Sequence, residues 1–376
     1  MKSFGFALPG RVIFGRGAAR EAAALIRAHG GRGVLVHGAD PARAAWLVQD
    51  LHGLGADLLA LPCPSEPTLP MLQAALERAR GFDADWVVGL GGGAALDLAK
   101  ALAGLIPVPG GVMDHLEVVG RGLPLARDPL PCIAVPTTAG TGAEATRNAV
   151  IGLPDHGRKV SIRDARMLPR LALVDPALTD GCPRAVTLAS GLDALAQVIE
   201  PYVSVRATPF TDALSLPVIA SGLAALVALM RGEDAAARDA LAWTSLCGGM
   251  ALANGGLGAV HGLAGVIGGL IPAAHGAICG SLLGPVLAMN RRLASDPERI
   301  EQVCGLIAGV LGGTAADAPQ RLADWARASG LPDLAAQGLA PARHPAVAEA
   351  ALLSSSMQGN PVAPPIEALV AVLARA

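Results

Sequence analysis

The sequence predicts two domains, an α/β domain on a largely parallel sheet (residues 1–180) and an all-helical domain (residues 181–376). A chain of 376 residues is long enough for two domains with substantial cores. In the first half, short β-forming runs alternate with amphipathic Ala/Leu stretches, which is typical of a parallel sheet covered by helices. After about Pro183 the strand signal disappears, so Asp175–Pro176 and Cys182–Pro183 mark the expected boundary.

The α/β half contains candidate strands that alternate with candidate helices. The strands are short runs rich in Val, Ile and Leu: Arg11–Phe14, Val34–His37, Leu58–Leu61, Trp86–Leu90, Cys132–Val135 and Leu171–Val174. The helices show apolar residues at helical spacing: Ala18–Ala28, Ala42–Leu54, Pro70–Arg80 and Ala94–Leu105. Ligands of such sheets bind at the carboxyl ends of the strands, so the loops that follow the strands are the candidate site.

Composition excludes several classes of protein. Hydrophobic residues make up 52% of the chain and charged residues 16%, with a net charge of −2, which argues against disorder and against a nucleic-acid partner. The opening MKSFGFALPGRVIFG meets Pro9 before a long apolar run forms, so no secretory signal is expected. The uncharged segments Leu214–Met230 and Gly255–Asn290 contain prolines, which favours buried helices over membrane spans. Six cysteines without a Cys-x-x-Cys pair fit a reducing cytoplasm.

Two loops that follow strands carry groups suited to a phosphate. Asp85–Lys100, DWVVGLGGGAALDLAK, is a buried strand, a glycine cluster and a helix whose N-terminus offers free N–H groups, although a glycine triplet also occurs in ordinary turns. Asp97 is expected in the first turn of that helix, where a carboxylate is favourable. Pro136–Thr146, PTTAGTGAEAT, follows another strand and offers hydroxyl donors and glycines. Two such loops at one edge of a sheet favour a dinucleotide and hence a Rossmann-like domain.

The segment Gly255–Asn290 has the composition of a buried core and yet contains two histidines. It has no Asp, Glu, Lys or Arg, and each of His261 and His275 is followed by glycine. A single buried His is commonly a core residue whose nitrogens find hydrogen-bond partners. Two of them bracketed by glycine-rich turns favour a site, because neutral imidazole is a common metal ligand.

These motifs together resemble those of the iron-containing (group III) alcohol dehydrogenases. The segments GGGAALDLAK, PTTAGTGAEAT, GLDALAQVIEP and the stretch with His261 and His275 occur in the family's order, and the resemblance runs from FALPGRVIFG to SSMQGNP. The resemblance implies the dehydroquinate synthase-like architecture of that family, in which an NAD(P)-binding domain and a helical domain enclose a catalytic cleft. It also implies a homodimer that acts on a small-molecule alcohol or carbonyl substrate, and the cytoplasmic location is expected from the cysteines and the opening segment.

The resemblance assigns cofactor roles to residues of the first half. Gly92, Gly93 and Asp97 would hold the pyrophosphate. The residues expected near the rest of the cofactor lie in or beyond the second loop: Thr137, Thr138, Thr141, Asn148 and Lys159.

The choice between NAD and NADP stays open. Many relatives place an Asp after the second strand, where it binds the ribose hydroxyls and repels a 2′-phosphate. Aligning the strand ends puts Gly38 at that position, and Gly38 with Arg43 close behind would tolerate NADP. If the loop lets Asp40 reach the ribose, NAD is favoured instead.

The resemblance also implies a divalent metal, Fe²⁺ or Zn²⁺, but the ligand set departs from the family pattern. Asp193, Gln197 and Glu200 lie at i, i+4 and i+7, on one helix face, where Asp193 would be the first ligand. His261 and His275 match two further ligands. Gln197 stands where the family has a histidine, and its neutral amide oxygen is a poorer donor than imidazole, so the metal would be held less firmly.

A second departure from the family pattern lies at Gly265. Many relatives have another histidine four residues after the third ligand, and this chain has Gly265 there, which enlarges the pocket.

The leading hypothesis is a metal-assisted, NAD(P)-dependent alcohol dehydrogenase or carbonyl reductase. The alternatives are an oxoacid reductase of the maleylacetate type without an obligatory metal, with Arg147 and Arg206 as candidate carboxylate-binding residues, and a non-catalytic cofactor-binding homologue.

Overall fold

The computed structural model describes residues 3–376 and divides them into two compact units. The α/β unit comprises Ala7–Thr138 and Ala143–Thr179. The helical unit comprises residues 3–6, Ala139–Gly142 and Asp180–Ala376. The predicted fold class, a parallel sheet with helices followed by an all-helical region, is confirmed.

The main sheet of the α/β unit has six parallel strands in the order β1-β8-β5-β4-β2-β3. Their bounds are β1 Val12–Phe14, β2 Arg32–His37, β3 Asp57–Pro62, β4 Trp86–Gly91, β5 Cys132–Pro136 and β8 Leu171–Val174. Each corresponds to a predicted strand. Both faces are covered, since Val34 and Val36 of β2 pack into one apolar cluster and Leu35 into the other. Burial on both faces explains why the strands read as continuous apolar runs.

A two-stranded antiparallel ribbon was not predicted from the sequence. It consists of β6 (Asn148–Leu153) and β7 (Arg158–Arg163), joined by a turn in which Gly157 adopts the left-handed conformation with φ of 55°. Alternate residues of β6 are buried, and β7 carries three basic residues. This half-buried, period-2 pattern contrasts with the apolar runs of the main sheet and was therefore missed.

Four helices belong to the α/β unit: α1 Ala22–Arg27, α2 Ala45–Gly53, α3 Leu69–Arg80 and α4 Gly93–Leu105. The first two begin later than predicted because a single 3₁₀ turn precedes each, at Ala18–Glu21 and Pro41–Ala44. Leu72 of α3 and Leu98 of α4 lie in the same apolar cluster as Val34. Both helices therefore cover the same face of the sheet.

The helical unit contains nine helices between residues 180 and 376: α5 Arg184–Val203, α6 Pro209–Leu229, α7 Ala235–Gly255, α8 Ala259–Leu270, α9 His275–Leu293, α10 Glu298–Leu311, α11 Ala318–Ala328, α12 His344–Leu352 and α13 Ile366–Leu373. Helix α5 packs against α6, α7 and α9. Within the described chain α6 is long and apolar enough to cross a membrane, and α7 with α8 pass the same test only as a pair bent by 98°. Helix α6 packs against α5, α7 and α10.

Candidate metal and cofactor sites

The loop between β4 and α4 has the geometry of an anion site. Gly91 ends β4, Gly92 is extended, and α4 begins at Gly93, so its first N–H groups lack partners within the helix. A Cβ on Gly92 would come within 3.2 Å of Thr138 Oγ1, and one on Gly91 within 3.4 Å of the Gly38 nitrogen. The structure thus brings Gly38, Gly92 and Thr138 together at the carboxyl edge of the sheet, where a helix N-terminus favours phosphate.

Asp97 forms a hydrogen bond and an ion pair within the α/β unit. It is the fifth residue of α4 and lies beyond the first turn, in which the sequence predicted it. Its Oδ2 accepts from the Val150 N–H at 3.1 Å and its Oδ1 pairs with Lys100 Nζ at 3.0 Å. Lys100, which is fully buried, also donates to Thr146 Oγ1 at 2.8 Å. These bonds hold β6 against α4, and the pyrophosphate role of Asp97 stays a prediction.

The other predicted cofactor residues are dispersed. Thr137 donates its N–H to the Gly91 carbonyl at 2.9 Å, whereas Thr141 belongs to the helical unit. Asn148 faces Ser161 in the ribbon at 3.4 Å, and Lys159, which pairs with Gly152, lies about 13 Å further along it and forms an ion pair with Glu66.

The loop after β2 gives no support for Asp40 as a ribose ligand. The exposed Asp40 caps a 3₁₀ turn by accepting from the Ala42 N–H at 2.9 Å. Arg43 donates to the Leu178 carbonyl at 3.1 Å. Gly38 borders open space, with no described atom within 4 Å of a Cβ built there.

A buried cluster in the helical unit has the composition of a metal site. Asp193 of α5, His261 of α8, and His275 and Cys279 of α9 present one ligand atom each, all within 4.8 Å of one another. His261 Nε2 lies 3.3 Å and His275 Nε2 4.0 Å from Asp193 Oδ1. Asp193 Oδ1 is buried and accepts no hydrogen bond from residues 3–376. One carboxylate oxygen and two imidazole nitrogens that face one another form a donor set suited to a cation.

Close helix packing positions the two histidines. A Cβ on Gly276 would come within 2.4 Å of the Ala189 carbonyl oxygen, so glycine lets the first turn of α9 approach α5 and bring His275 beside Asp193. Gly262 similarly packs against Met357, 3.1 Å from a Cβ built there. Of the two glycines that follow these histidines, Gly276 marks a close backbone contact, and Gly262 packs against a side chain.

Glu200 fixes the orientation of His261. Its Oε2 lies 2.7 Å from His261 Nδ1, and its Oε1 accepts from the Val260 N–H at 2.7 Å. A carboxylate at Nδ1 keeps a proton there, so Nε2, which points toward Asp193, is the nitrogen available to a metal. Glu200 is buried on α5, and its spacing from Asp193 was the only sequence signal of this role.

The electrostatics of the cluster favour positive charge. Burial lowers the pKa of His261, but Cys279, Asp193 and Glu200 outweigh burial and raise that pKa well above its usual value. Burial likewise acts to lower the pKa of His275, yet Cys279 and Asp193 raise it to about 9. Burial acts to raise the pKa of Asp193, and the adjacent His261, His275 and Cys279 lower it overall.

Gln197 is held by the loop of residues 139–142. Its Nε2 donates to the Gly140 carbonyl at 2.9 Å, while its Oε1 is buried and receives no donor from the described part of the chain. A Cβ on Gly140 would come within 2.7 Å of Ser190, so glycine allows this approach of the loop to α5. The metal-ligand role of Gln197 stays a prediction.

Cys279 was not predicted as a functional residue. The sequence signal that could have identified it is the i, i+4 spacing from His275, which places both side chains on one face of a helix.

Gly265 has open space around it, because no described atom lies within 4 Å of where its Cβ would stand. Of the two candidate carboxylate-binding residues, Arg206 donates to Gln358 Oε1 at 2.9 Å.

Comparisons with known proteins cover nearly the whole chain. The family model described as iron-containing alcohol dehydrogenase matches residues 9–176, and that of the Fe-containing alcohol dehydrogenase family C-terminal region matches residues 187–376. The probable alcohol dehydrogenase EutG of Salmonella typhimurium is 35% identical over 84% of this chain and 79% of its own. The NAD-dependent methanol dehydrogenase of Bacillus methanolicus is 33% identical over 80% and 79%. A crystal structure of 1,3-propanediol oxidoreductase superposes with a TM-score of 0.89, at 27% identity and 99% coverage of both chains.

Proposed function

Because the chain belongs to the iron-containing alcohol dehydrogenase family, we propose that it interconverts an alcohol and an aldehyde or ketone by hydride exchange with NAD(H) or NADP(H). The observation that carries this proposal is the buried cluster of Asp193, His261, His275 and Cys279. Enzymes of this reaction class must stabilise negative charge on the substrate oxygen, and this cluster offers a set of donors for a cation that would do so.

The donor set fits a divalent metal. Asp193 Oδ1 has no hydrogen-bond donor within residues 3–376, although two imidazole nitrogens face it. A carboxylate, imidazoles and a thiol are ligands of Zn²⁺ and, in part, of Fe²⁺. When bound, the ion supplies Lewis-acid polarisation of the substrate oxygen. Asp193 and the two histidines would hold it, and Glu200 keeps His261 in the tautomer that offers Nε2.

The cofactor would lie with its pyrophosphate at the N-terminus of α4. Gly92 leaves the approach to this helix end free of side chain, and Thr138 Oγ1 lies beside it. The N–H groups of the first turn and the helix dipole both favour phosphate. Gly38 offers no carboxylate against a 2′-phosphate, and Asp40 is engaged as a cap, so we expect NADP(H) to be accepted as well as NAD(H).

The experiment that tests this proposal measures metal content and enzymatic turnover on the same preparations. The protein is stripped, reloaded with Zn²⁺ or Fe²⁺ under anaerobic conditions, and assayed on primary alcohols, aldehydes and oxoacids with both cofactors. We expect about one metal per chain and turnover of alcohols or aldehydes, and loss of both in Asp193→Ala. Asp324→Ala, an exposed carboxylate of α11, is the matched control and should change neither. Cofactor binding without turnover of any substrate would contradict the proposal.

We further propose a homodimer in the cytoplasm. All six cysteines are free thiols, which fits a reducing compartment. Strand β1 is an edge of the main sheet with Val12 36% exposed, and an open edge can pair with a second copy. Sedimentation should give twice the 37.7 kDa chain mass, and Val12→Lys, which places a charge on this edge, should shift the protein toward monomer. A monomer in the parent would exclude this assembly.

A further inference from the structure

The proposed metal site has three protein ligands in Asp193, His261 and His275, and a fourth side chain lies close enough to complete it. This inference rests on the proposed function, since it concerns the same metal site. Two side chains compete for the position: Gln197, one turn after Asp193 on α5, and Cys279, one turn after His275 on α9. We propose that the Cys279 thiolate is the fourth protein donor, so that the site is formed by Asp193, His261, His275 and Cys279.

The interatomic distances match a tetrahedral site that includes sulfur. With zinc bonds of about 2.3 Å to sulfur and about 2.05 Å to nitrogen, tetrahedral angles separate the two ligand atoms by about 3.6 Å. Cys279 Sγ lies 3.5 Å from His275 Nε2. A nitrogen and a carboxylate oxygen on the same ion would be about 3.4 Å apart, and His261 Nε2 lies 3.3 Å from Asp193 Oδ1. These two separations match a tetrahedral coordination sphere, and His275 Nε2, at 4.0 Å from Asp193 Oδ1, would come closer to it when the ion is bound.

Gln197 has a different partner. Its amide nitrogen donates to the Gly140 carbonyl at 2.9 Å, and this bond ties the side chain to the loop of residues 139–142. The remaining amide oxygen is a neutral donor, which is weaker toward Zn²⁺ than a thiolate. That oxygen is a buried hydrogen-bond acceptor without a donor in the described chain.

Cys279 also differs from the other cysteines of the chain. Cys63 and Cys132 lie in the apolar cluster of the α/β unit, where a thiol serves as a small hydrophobic side chain. Cys279 is fully buried as well, but its sulfur faces Asp193 and two imidazoles. A thiol among such groups is placed for metal binding rather than for packing.

Cobalt substitution tests the assignment without relying on activity. The stripped full-length protein is loaded with Co²⁺, and the near-ultraviolet absorption is recorded, because a thiolate bound to Co²⁺ gives an intense charge-transfer band there. We expect the band in the parent and in Gln197→Ala, and its loss in Cys279→Ser together with an affinity at least ~10-fold weaker. Cys247→Ser, a buried cysteine of α7, is the matched control and should keep the band.

The outcomes separate the two proposals. One bound Co²⁺ without the band, or a band that survives in Cys279→Ser, would overturn the role of Cys279 and leave the metal-assisted function intact. Absence of stoichiometric Co²⁺ in the parent would overturn both. If Cys279→Ser does not fold, X-ray absorption of the zinc-loaded parent decides, since one sulfur neighbour is expected and none would refute the assignment.

Discussion

At the scale of single residues, the proposed metal site depends on the metal-ligating side chains and also on the residues that hold them in place. Glu200 binds both His261 Nδ1 and the Val260 N–H, so one carboxylate fixes the ring and the start of α8 together. Glu144 is buried in the α/β unit, where burial raises its pKa to about 7 despite the nearby charge of Lys100. Both residues are carboxylates in the interior, and only the first has an imidazole partner.

Glu200→Gln should weaken metal binding about 10- to 100-fold. If the Gln amide N–H₂ faces Nδ1, it drives the His261 proton to Nε2 and removes the lone pair that faces Asp193. Zinc affinity is measured by competition with a chelator. Glu349→Gln, an exposed carboxylate of α12, is the control and should bind zinc as the parent does. Unchanged affinity in Glu200→Gln would contradict the positioning role.

Glu144→Gln should stabilise the protein at pH 8 and have little effect at pH 4 to 5. The folded-state pKa of about 7 lies above the ordinary value of 4.5, so the stability that the protonated form contributes is complete below pH 4.5 and is lost as pH rises through 7. The shift corresponds to roughly 3 kcal/mol. The free energies of unfolding of parent and variant are compared by urea titration at both pH values. Parallel pH profiles would show that Glu144 does not titrate in this range.

At the scale of elements, helix N-termini and glycine contacts position both candidate sites. Helix α4 offers its first N–H groups at Gly93 and is tied to β6 by Asp97 and Lys100. Helix α9 begins at His275 and approaches α5 through Gly276. In each case a small residue at the start of a helix lets the backbone come close to another group.

Gly276→Ala should destabilise the helical unit and loosen the metal site. The added methyl would lie 2.4 Å from the Ala189 carbonyl, so α9 must move away from α5 at a cost of ~1–3 kcal/mol. Thermal unfolding with and without zinc measures both effects. Gly305→Ala is the matched control, because it lies exposed within α10 with no described atom within 4 Å of the new Cβ, and it should be stabilising by up to ~1 kcal/mol. Equal effects of the two substitutions would exclude the packing argument.

At the scale of the whole molecule, the residues proposed to bind the metal ion and those proposed to bind the cofactor pyrophosphate belong to different units. The four proposed metal donors lie on helices of the helical unit, and the glycine-rich loop belongs to the α/β unit. Binding to the folded state alone stabilises a protein by about 4 kcal/mol at a ligand concentration 1,000 times Kd. Each ligand should therefore stabilise chiefly the helices that carry its binding groups.

Hydrogen exchange should show this distribution. Zinc should slow exchange of amides in α5, α8 and α9, because it links their side chains, and should change α4 little. NADH or NADPH should instead slow exchange at the start of α4, where phosphate would accept from free N–H groups. The stripped, ligand-free protein is the reference. Protection of α4 by zinc alone would contradict the assignment of the donors.

The sequence by itself determined the α/β-then-helical order, the six parallel strands and the candidate residues Asp193, His261 and His275. The order of the domains, the strands and the two histidines depend on local periodicity, on glycine at strand–helix junctions and on residue chemistry, whereas Asp193 was assigned as a ligand through the family resemblance. Only the tertiary structure decided that Asp97 pairs with Lys100, that Glu200 orients His261 and that Cys279 joins the cluster while Gly140 holds Gln197. The physical reason is that hydrogen bonds and ligand distances depend on how α5, α8 and α9 pack, and packing depends on contacts between residues far apart in the sequence.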